Sequence, residues 1–327
     1  MYIPNGFDGN TLDKYPKLKE FYMRIGKPHF MEIDVPNDYA KIIAKCEWDN
    51  PAETIKAKAA LAMIWKLLDD LDEDIDKVTV LEYSGGGLSV ALAELCNSLK
   101  IKCVLVLMET TSKSIIEKLT FLNARIELTK KEEGFWGVIE RAKVLKLENP
   151  NWKFLFQHEN AANYNFHNQV TAKEILDSHV ESIDAWVASI GTGATLAGVY
   201  NGIKVKFPSI QLHTNMPLEM PYGTNEAPNS LPKFAGSGGL GCGRKQLFVE
   251  QIERNIFMNH CVPFDEAKLC MIDFYRKNKI FIGSSSAANL LTSLKIAKEL
   301  GKGKTILTVF PCNGLVEDKN EIISKLN

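Results

Sequence analysis

The sequence predicts an α/β protein built from two doubly wound α/β domains. Short runs rich in β-branched and aromatic residues alternate with longer stretches of helical period, which is the rhythm of βαβ units. A chain of 327 residues favours two domains around a cleft over one large core. Two glycine-rich turns each follow a predicted strand and precede a predicted helix, an arrangement that aims backbone N–H groups at an anion.

The smaller N-terminal domain is predicted to span residues 45–160 and to contain one parallel sheet. Its strands are expected near 79–82, 102–108, 125–128 and 154–156, and its helices at about 57–71, 89–99, 112–123 and 133–147.

The larger domain is predicted to combine residues 1–44 with 161–327. Residues 216–244 lack a clear period and are rich in Pro and Gly, which is typical of a functional loop. The helices of the larger domain are expected at 166–180, 195–206, near 244–256 and 265–277, and at 286–299. Its strands are expected at 185–190, 210–214, 279–282 and 305–310.

The composition favours a small-molecule partner. The 39 Lys and Arg residues nearly balance 40 Asp and Glu, so the net charge is −1, and we expect no nucleic acid and no membrane surface as partner. No run approaches the roughly 18 apolar residues of a membrane span.

The cysteines and the N-terminus predict a cytoplasmic protein. The first residues lack the basic and apolar blocks of a signal peptide. The seven cysteines form no C-x-x-C pair, which fits reduced thiols. The six histidines show no metal-ligand spacing, so no metal site is predicted.

The turn at residues 191–195, Gly-Thr-Gly-Ala-Thr, is a candidate phosphate site. Its backbone amides and the hydroxyls of Thr192 and Thr195 can donate to a phosphomonoester. A dinucleotide site would need a G-x-G-x-x-G pattern and an acidic residue about 20 positions later, and neither is present. A purely structural βα turn is the alternative.

The turn at residues 84–89, Ser-Gly-Gly-Gly-Leu-Ser, can bring backbone amides close to a substrate carboxylate. A tight turn is again the alternative.

Lys56 follows Asn50-Pro51 and can offer an amine to an aldehyde. An amine and a phosphate site together suggest pyridoxal phosphate, although a lysine at this position could equally be a solvated residue at a helix start. Residues 301–305 look like the tail of a P-loop but precede a strand, so a P-loop is rejected.

Four segments occur in an order that resembles the cysteine synthase and cystathionine β-synthase family of fold-type II pyridoxal 5′-phosphate enzymes. The family pattern N-P-x-x-S-x-K-D-R matches residues 50–58, and G-T-G-G-T matches 191–195. The pattern Q-x-x-N-P-A-N matches 157–163 with His167 also in place, and G-x-S-S-G-A matches 283–288.

The resemblance implies a cofactor cleft between the two domains and assigns roles residue by residue. Lys56 would be the catalytic residue and would form the Schiff base with the cofactor. The other cofactor-binding residues would be Gly87, Gly191, Thr192, Gly193, Ala194, Thr195 and Ser285, with the Ser285 hydroxyl at the pyridine nitrogen. The substrate-binding residues would be Ser84, Gly85, Gly86, Leu88, Ser89 and Gln157.

The substrate turn departs from the family pattern T-S-G-N-T-G. Gly87 stands where the resemblance places an Asn that bonds the cofactor 3-hydroxyl, and Leu88 stands where it places a Thr donor. Only backbone amides and the hydroxyls of Ser84 and Ser89 remain as donors. The small Gly87 also predicts extra room beside the cofactor ring.

The function implied is β-replacement on a serine or cysteine derivative through an aminoacrylate, in a homodimer that takes a small amino-acid substrate. Net β-elimination, of the cysteine desulfhydrase or serine/threonine dehydratase kind, is the alternative enzyme activity. A cofactor-binding regulatory pseudoenzyme is the alternative from another class.

Overall fold

The computed structural model describes residues 1–26, 28–178, 180–220, 222–223 and 245–326. The strands are β1 (Phe30–Ile33), β2 (Lys41–Cys46), β3 (Thr79–Tyr83), β4 (Lys102–Met108), β5 (Arg125–Thr129), β6 (Lys153–Phe154), β7 (Ala185–Ser189), β8 (Gln211–Pro217), β9 (Ile256–Val262) and β10 (Thr305–Phe310). The helices are α1 (Gly9–Lys14), α2 (Pro16–Arg24), α3 (Lys56–Asp69), α4 (Gly87–Leu99), α5 (Lys113–Phe121), α6 (Gly134–Glu148), α7 (Ala161–Phe166), α8 (Ala172–Leu176), α9 (Ala194–Ile203), α10 (Leu247–Glu250), α11 (Phe264–Asn278), α12 (Ser284–Leu300) and α13 (Val316–Leu326). A π-helical stretch, His167–Thr171, joins α7 to α8.

The larger of the two sheets formed by the described residues has the strand order β1-β2-β10-β7-β8-β9. Only its edge strand β1 is antiparallel to its neighbour; β2, β10, β7, β8 and β9 run parallel. In β10, every residue from Ile306 to Phe310 is buried, as expected for a parallel strand covered on both faces.

The smaller sheet has the order β5-β4-β3-β6 and is parallel throughout. Helix α4 lies over β3 and β4 with Leu92 and Leu95 fully buried, and α6 covers the opposite face through Val138 and Ile139. Helices cover both faces of this sheet, and the protein has a doubly wound α/β fold.

The N-terminal helices pack on the smaller sheet's layer of helices. Leu12 and Phe21 share a hydrophobic cluster with Trp65 of α3 and Leu92 of α4. This packing differs from the predicted grouping of residues 1–44 with the larger domain, although β2, which begins at Lys41, does lie in the larger sheet. The division into residues 45–160 and the remainder stays a proposal.

Most of the predicted elements agree with the structure, and two do not. The predicted strand 279–282 is wrong, because Lys279 ends α11 with a left-handed φ of 58° and no strand follows it. The predicted helix at 244–256 is reduced to α10 and a 3₁₀ turn, and the edge strand β9 begins at Ile256. The sequence analysis also missed α1, α2, α7, α13, β1 and β2. Most of the predicted loop 216–244 lies outside the described residues.

Candidate active site

The predicted site segments lie at the carboxyl ends of parallel strands. In the larger sheet, β2, β10 and β7 lead into residues 47–56, 311–314 and 190–195, so these three segments share one sheet edge. In the smaller sheet, β3 leads into the turn 84–89. Ligands of open α/β sheets bind at such edges.

Lys56 is the first residue of α3 and follows a strained stretch of backbone. Ala52 and Glu53 have positive φ angles of 54° and 52°. Burial lowers the pKa of the Lys56 amine to about 8. Among the described residues the amine has no hydrogen bond or ion pair, and the lowered pKa makes its neutral form, which is the nucleophile or base, more accessible near neutral pH than in an ordinary lysine.

A buried ionic cluster anchors the start of α3. Lys45 and Lys58 both contact Glu47, at 2.7 and 3.0 Å, and both contact Glu174 of α8, at 2.7 and 2.5 Å. Burial alone would raise the pKa of Glu47, but the two amines hold it well below its usual range. Asn50 completes the cluster by donating from Nδ2 to Glu47 Oε2 at 2.6 Å. Removing one member would leave an uncompensated buried charge, so the cluster fixes the segment that carries Lys56.

The turn at residues 191–195, the candidate phosphate turn, joins β7 to α9 as the sequence predicts. Gly193 precedes α9 with a φ of +82°, a conformation that favours glycine. Thr192 Oγ1 accepts a hydrogen bond from Ala194 N at 3.2 Å. The amides at the start of α9 and the positive end of its dipole are therefore presented by a fixed turn.

Thr195 is positioned by a buried histidine. Its Oγ1 lies 3.1 Å from His167 Nε2, and His167 Nδ1 lies 2.9 Å from Thr171 Oγ1. Burial, followed by the nearby positive charge of Lys58, lowers the pKa of His167 to about 3. The imidazole is therefore neutral and can orient the Thr195 hydroxyl without adding charge.

The substrate turn is largely satisfied by its own hydrogen bonds. Ser84 Oγ accepts from Gly86 N at 3.3 Å, and Ser89 Oγ donates to Gly86 O at 2.6 Å. Ser89 is fully buried, and Leu88 packs into the hydrophobic cluster of α3 and α4. The expectation that the Ser89 hydroxyl donates to the substrate is therefore corrected, because that hydroxyl is used within the turn. Leu88 can contribute through its backbone only.

The predicted extra room beside Gly87 is also wrong. A Cβ atom at this position would lie 2.7 Å from Thr54 Oγ1 and 3.0 Å from Thr54 Cγ2. Gly85 is similarly covered, because a Cβ there would lie 2.9 Å from Thr111 Oγ1. Side chains from other segments occupy the space that the glycines leave.

Gln157 is held against the end of β3. Its Nε2 donates to Tyr83 O at 2.9 Å, and its backbone N donates to Glu82 Oε2 at 3.1 Å. Phe156, the preceding residue, has a positive φ of 51°. Burial raises the pKa of Glu82 to about 8, so this carboxyl is mostly protonated at neutral pH. The sequence analysis did not find Glu82, since an acidic residue at a strand end carries no signal by itself.

Ser285 is buried in the first turn of α12, beside the segment that follows β10. Cys312 O accepts hydrogen bonds from Gly283 N at 3.1 Å and from Ser286 Oγ at 2.9 Å. Burial raises the pKa of the Cys312 thiol, and a hydrogen bond with Ser285 opposes that shift in part. The same segment meets the lysine segment, because Ile55 N donates to Pro311 O at 2.8 Å.

These features fit pyridoxal phosphate. The amine of Lys56 carries no ion pair among the described residues, so it is not committed to another group. The phosphate turn offers helix N-terminal amides around a glycine with positive φ. Ile55 belongs to the same hydrophobic cluster as Ile190 and Ala194, which brings the lysine segment beside the phosphate turn.

Comparison with known proteins shows the family to which the chain belongs. The family model described as "Pyridoxal-phosphate dependent enzyme" matches residues 33–311. The chain is 32% identical to a cysteine synthase of Staphylococcus aureus over 288 residues, which cover 86% of this chain and 88% of that protein. It is 31% identical to cysteine synthase B of Campylobacter jejuni, over 82% of this chain and 87% of that protein.

Solved structures share the fold. The O-acetylserine-dependent cystathionine β-synthase of Helicobacter pylori superimposes with a TM-score of 0.81 at 25% identity, covering 90% of this chain and 94% of the other. An O-ureido-L-serine synthase superimposes with a TM-score of 0.82 at 22% identity, covering 94% and 95% of the two chains.

Proposed function

The chain belongs to the pyridoxal-phosphate dependent enzyme family and to its cysteine synthase branch, and from that premise we propose that it catalyses β-replacement on a serine or cysteine derivative. The observation that carries this proposal is the Lys56 amine. It has a lowered pKa and no ion pair among the described residues. It begins α3 at the same edge of the larger sheet as the turn 191–195, and Thr54, two residues earlier, lies against Gly87 of the turn 84–89.

When bound, pyridoxal phosphate supplies an aldehyde for the amino group and an electron sink for the α-carbon. We propose that Lys56 holds the cofactor and then acts as the base that takes the α-proton. A base works best when its pKa is close to the working pH, and a pKa of about 8 meets this condition. Removal of the β-substituent and addition of a nucleophile complete a replacement.

The two turns are proposed to bind the two anionic groups. Gly191, Thr192, Gly193, Ala194 and Thr195 would hold the phosphate through amides and hydroxyls, with His167 fixing Thr195. The amides of residues 85–87 and the Ser84 hydroxyl would hold the substrate carboxylate. Gln157, whose Nε2 donates to Tyr83 O, is proposed to be a further substrate-binding residue.

Ser285 is proposed to contact the pyridine nitrogen. A hydroxyl, unlike a carboxylate, does not hold that nitrogen protonated, so the ring withdraws electrons less strongly. Weaker withdrawal favours loss of a β-substituent over transamination. The chemistry that Ser285 supports is thus β-replacement or β-elimination.

The finer assignments are proposals as well. We propose that the chain forms two α/β domains, of which residues 45–160 form the smaller. We also propose that the protein is a homodimer and is located in the cytoplasm. The described cysteines are all free, which supports a reducing compartment. Among the described residues no helix is long and apolar enough to cross a membrane.

The test is to treat the reconstituted protein with borohydride and to map the modified lysine. We expect the label on Lys56, and a change in the cofactor absorbance when O-acetylserine is added, followed by a thioether or thiol product when a sulfur nucleophile is supplied. Lys66, an exposed residue of the same helix, provides the matched control, since Lys66→Ala should leave both results unchanged. Label on another lysine would contradict the assignment, and pyruvate as the only product would show elimination instead.

A further inference from the structure

Thr54 occupies the space that a side chain at position 87 would need. A Cβ built on Gly87 would meet Thr54 Oγ1 at 2.7 Å, Cγ2 at 3.0 Å and Cβ at 3.1 Å. All three distances are shorter than ordinary van der Waals contact, so the Thr54 side chain lies directly against the backbone of the substrate turn.

Thr54 cannot easily move away from the turn. Its side chain is only 4% exposed. Its backbone forms an isolated β-bridge with Cys312, its carbonyl accepts from Ala57 N at 3.2 Å, and the next residue, Ile55, donates to Pro311 O. The side chain is therefore held at a fixed place between the lysine segment and the substrate turn.

The Thr54 hydroxyl retains one unused hydrogen-bonding function. Its oxygen accepts from Lys56 N at 3.2 Å. A hydroxyl also carries one O–H donor, and within the described part of the chain that donor has no acceptor. A buried donor beside Lys56 and Gly87 is suited to an oxygen of a ligand that binds between them.

We propose that Thr54 is a specificity-determining residue that donates its O–H to the carboxylate of the bound amino acid. It would replace the side-chain donors that Gly87 and Leu88 do not supply, and its methyl group would fill the volume beside Gly87. This inference rests on the proposed function, because it needs an amino acid bound next to Lys56.

The experiment compares two substitutions that separate the hydroxyl from the methyl group. Thr54→Val keeps the volume and removes the O–H, whereas Thr54→Ser keeps the O–H and removes the methyl. The dissociation constant of L-alanine, which has no β leaving group, is measured from the change in cofactor absorbance, and the cofactor dissociation constant is measured separately. A carboxylate-free amine of similar size, ethylamine, serves as the reference ligand.

We expect Thr54→Val to weaken L-alanine binding about tenfold or more, the effect of losing a hydrogen bond to a charged group, and to leave ethylamine binding unchanged. Thr54→Ser should stay within about threefold of the parent for both ligands. If Thr54→Val does not retain the cofactor, Thr54→Ala should show the same selective loss.

Equal L-alanine affinity in the parent and in the hydroxyl-free variants would overturn this inference and leave the proposed function intact. An equal loss for L-alanine and ethylamine would also overturn it, because the effect would not depend on the carboxylate. A parent protein that binds pyridoxal phosphate through Lys56 but gives no absorbance change with any amino acid would overturn both proposals.

Discussion

The phosphate turn at 191–195 and the substrate turn at 84–89 are both glycine-rich, and both join a parallel strand to a helix, yet their glycines are needed for different reasons. Gly193 has a φ of +82°, so its own backbone conformation favours glycine. Gly87 does not have a positive φ, but Thr54 lies where its side chain would be. Gly193 is thus constrained by its own backbone conformation in addition to packing, whereas Gly87 is constrained by its contact with Thr54.

The largest effect is expected at Lys56, the residue toward which both turns are proposed to direct a bound ligand. Lys56→Ala removes the proposed base and the covalent attachment, and general-base catalysis alone contributes about 10²- to 10⁴-fold. We expect turnover of O-acetylserine to fall by at least that factor while both turns keep their structure, measured by product formation and by the near-ultraviolet circular dichroism of the apoprotein. Activity within tenfold of the parent would contradict the role of Lys56.

The second largest effect is expected for the stability of a variant in the phosphate turn, residues 191–195. Gly193→Ala forces a Cβ into a left-handed conformation, which costs about 1–2 kcal/mol, and places it 2.4 Å from Val249 Cγ2. Overpacking of this kind adds about 1–3 kcal/mol. Urea unfolding of the apoprotein should show a free energy of unfolding that is lower by the sum of these two contributions. Adding Val249→Ala should recover only the packing part, so complete recovery would contradict a local backbone requirement.

The substrate turn should behave differently in the matched experiment. Gly87→Ala is expected to cost about 1–3 kcal/mol, chiefly through the close contact of its Cβ with Thr54. Thr54→Gly removes all three close contacts. In a double-mutant cycle, Gly87→Ala should therefore lower the free energy of unfolding much less in the Thr54→Gly background than in the parent. Additive free energies of unfolding would show that Thr54 is not the reason for Gly87, and the contrast between the turns would fail.

The effect that is smallest when expressed per pH unit concerns Glu82, which lies near the end of β3, just before the substrate turn. Its folded-state pKa is raised to about 8 by burial, above its ordinary value of 4.5. The folded protein therefore holds a proton that the unfolded chain releases, so this group makes stability fall as pH rises from about 4.5 to 8, by at most about 1.4 kcal/mol per pH unit. Thermal unfolding should show that the stability of Glu82→Gln depends less on pH over this range than that of the parent. The same pH dependence in both proteins would contradict the raised pKa.

Local signals account for the part of the molecule that the sequence predicted well. The alternation of strand and helix patterns predicted the parallel sheet of the smaller domain and the strands β7, β8 and β10 of the larger sheet, and it predicted the strand-turn-helix arrangement of residues 185–203. The same signals failed at 279–282, where an apolar segment follows a helix end without pairing to any strand, and at β9, where an edge strand exposes Phe257 and Met258. Strand formation at an edge depends on the neighbouring strand, and the local pattern does not contain that information.

The sequence by itself determined the α/β class, the lysine at the head of α3, and the glycine-rich turn between β7 and α9. Each of these depends on residues adjacent in the chain, through periodicity, backbone conformation or a short motif. The tertiary structure alone decided that Thr54 fills the place beside Gly87 and that Glu82 is buried near Gln157. These contacts join segments from different parts of the chain, and the energies of burial and close packing that fix them exist only once the two sheets and their helices are assembled.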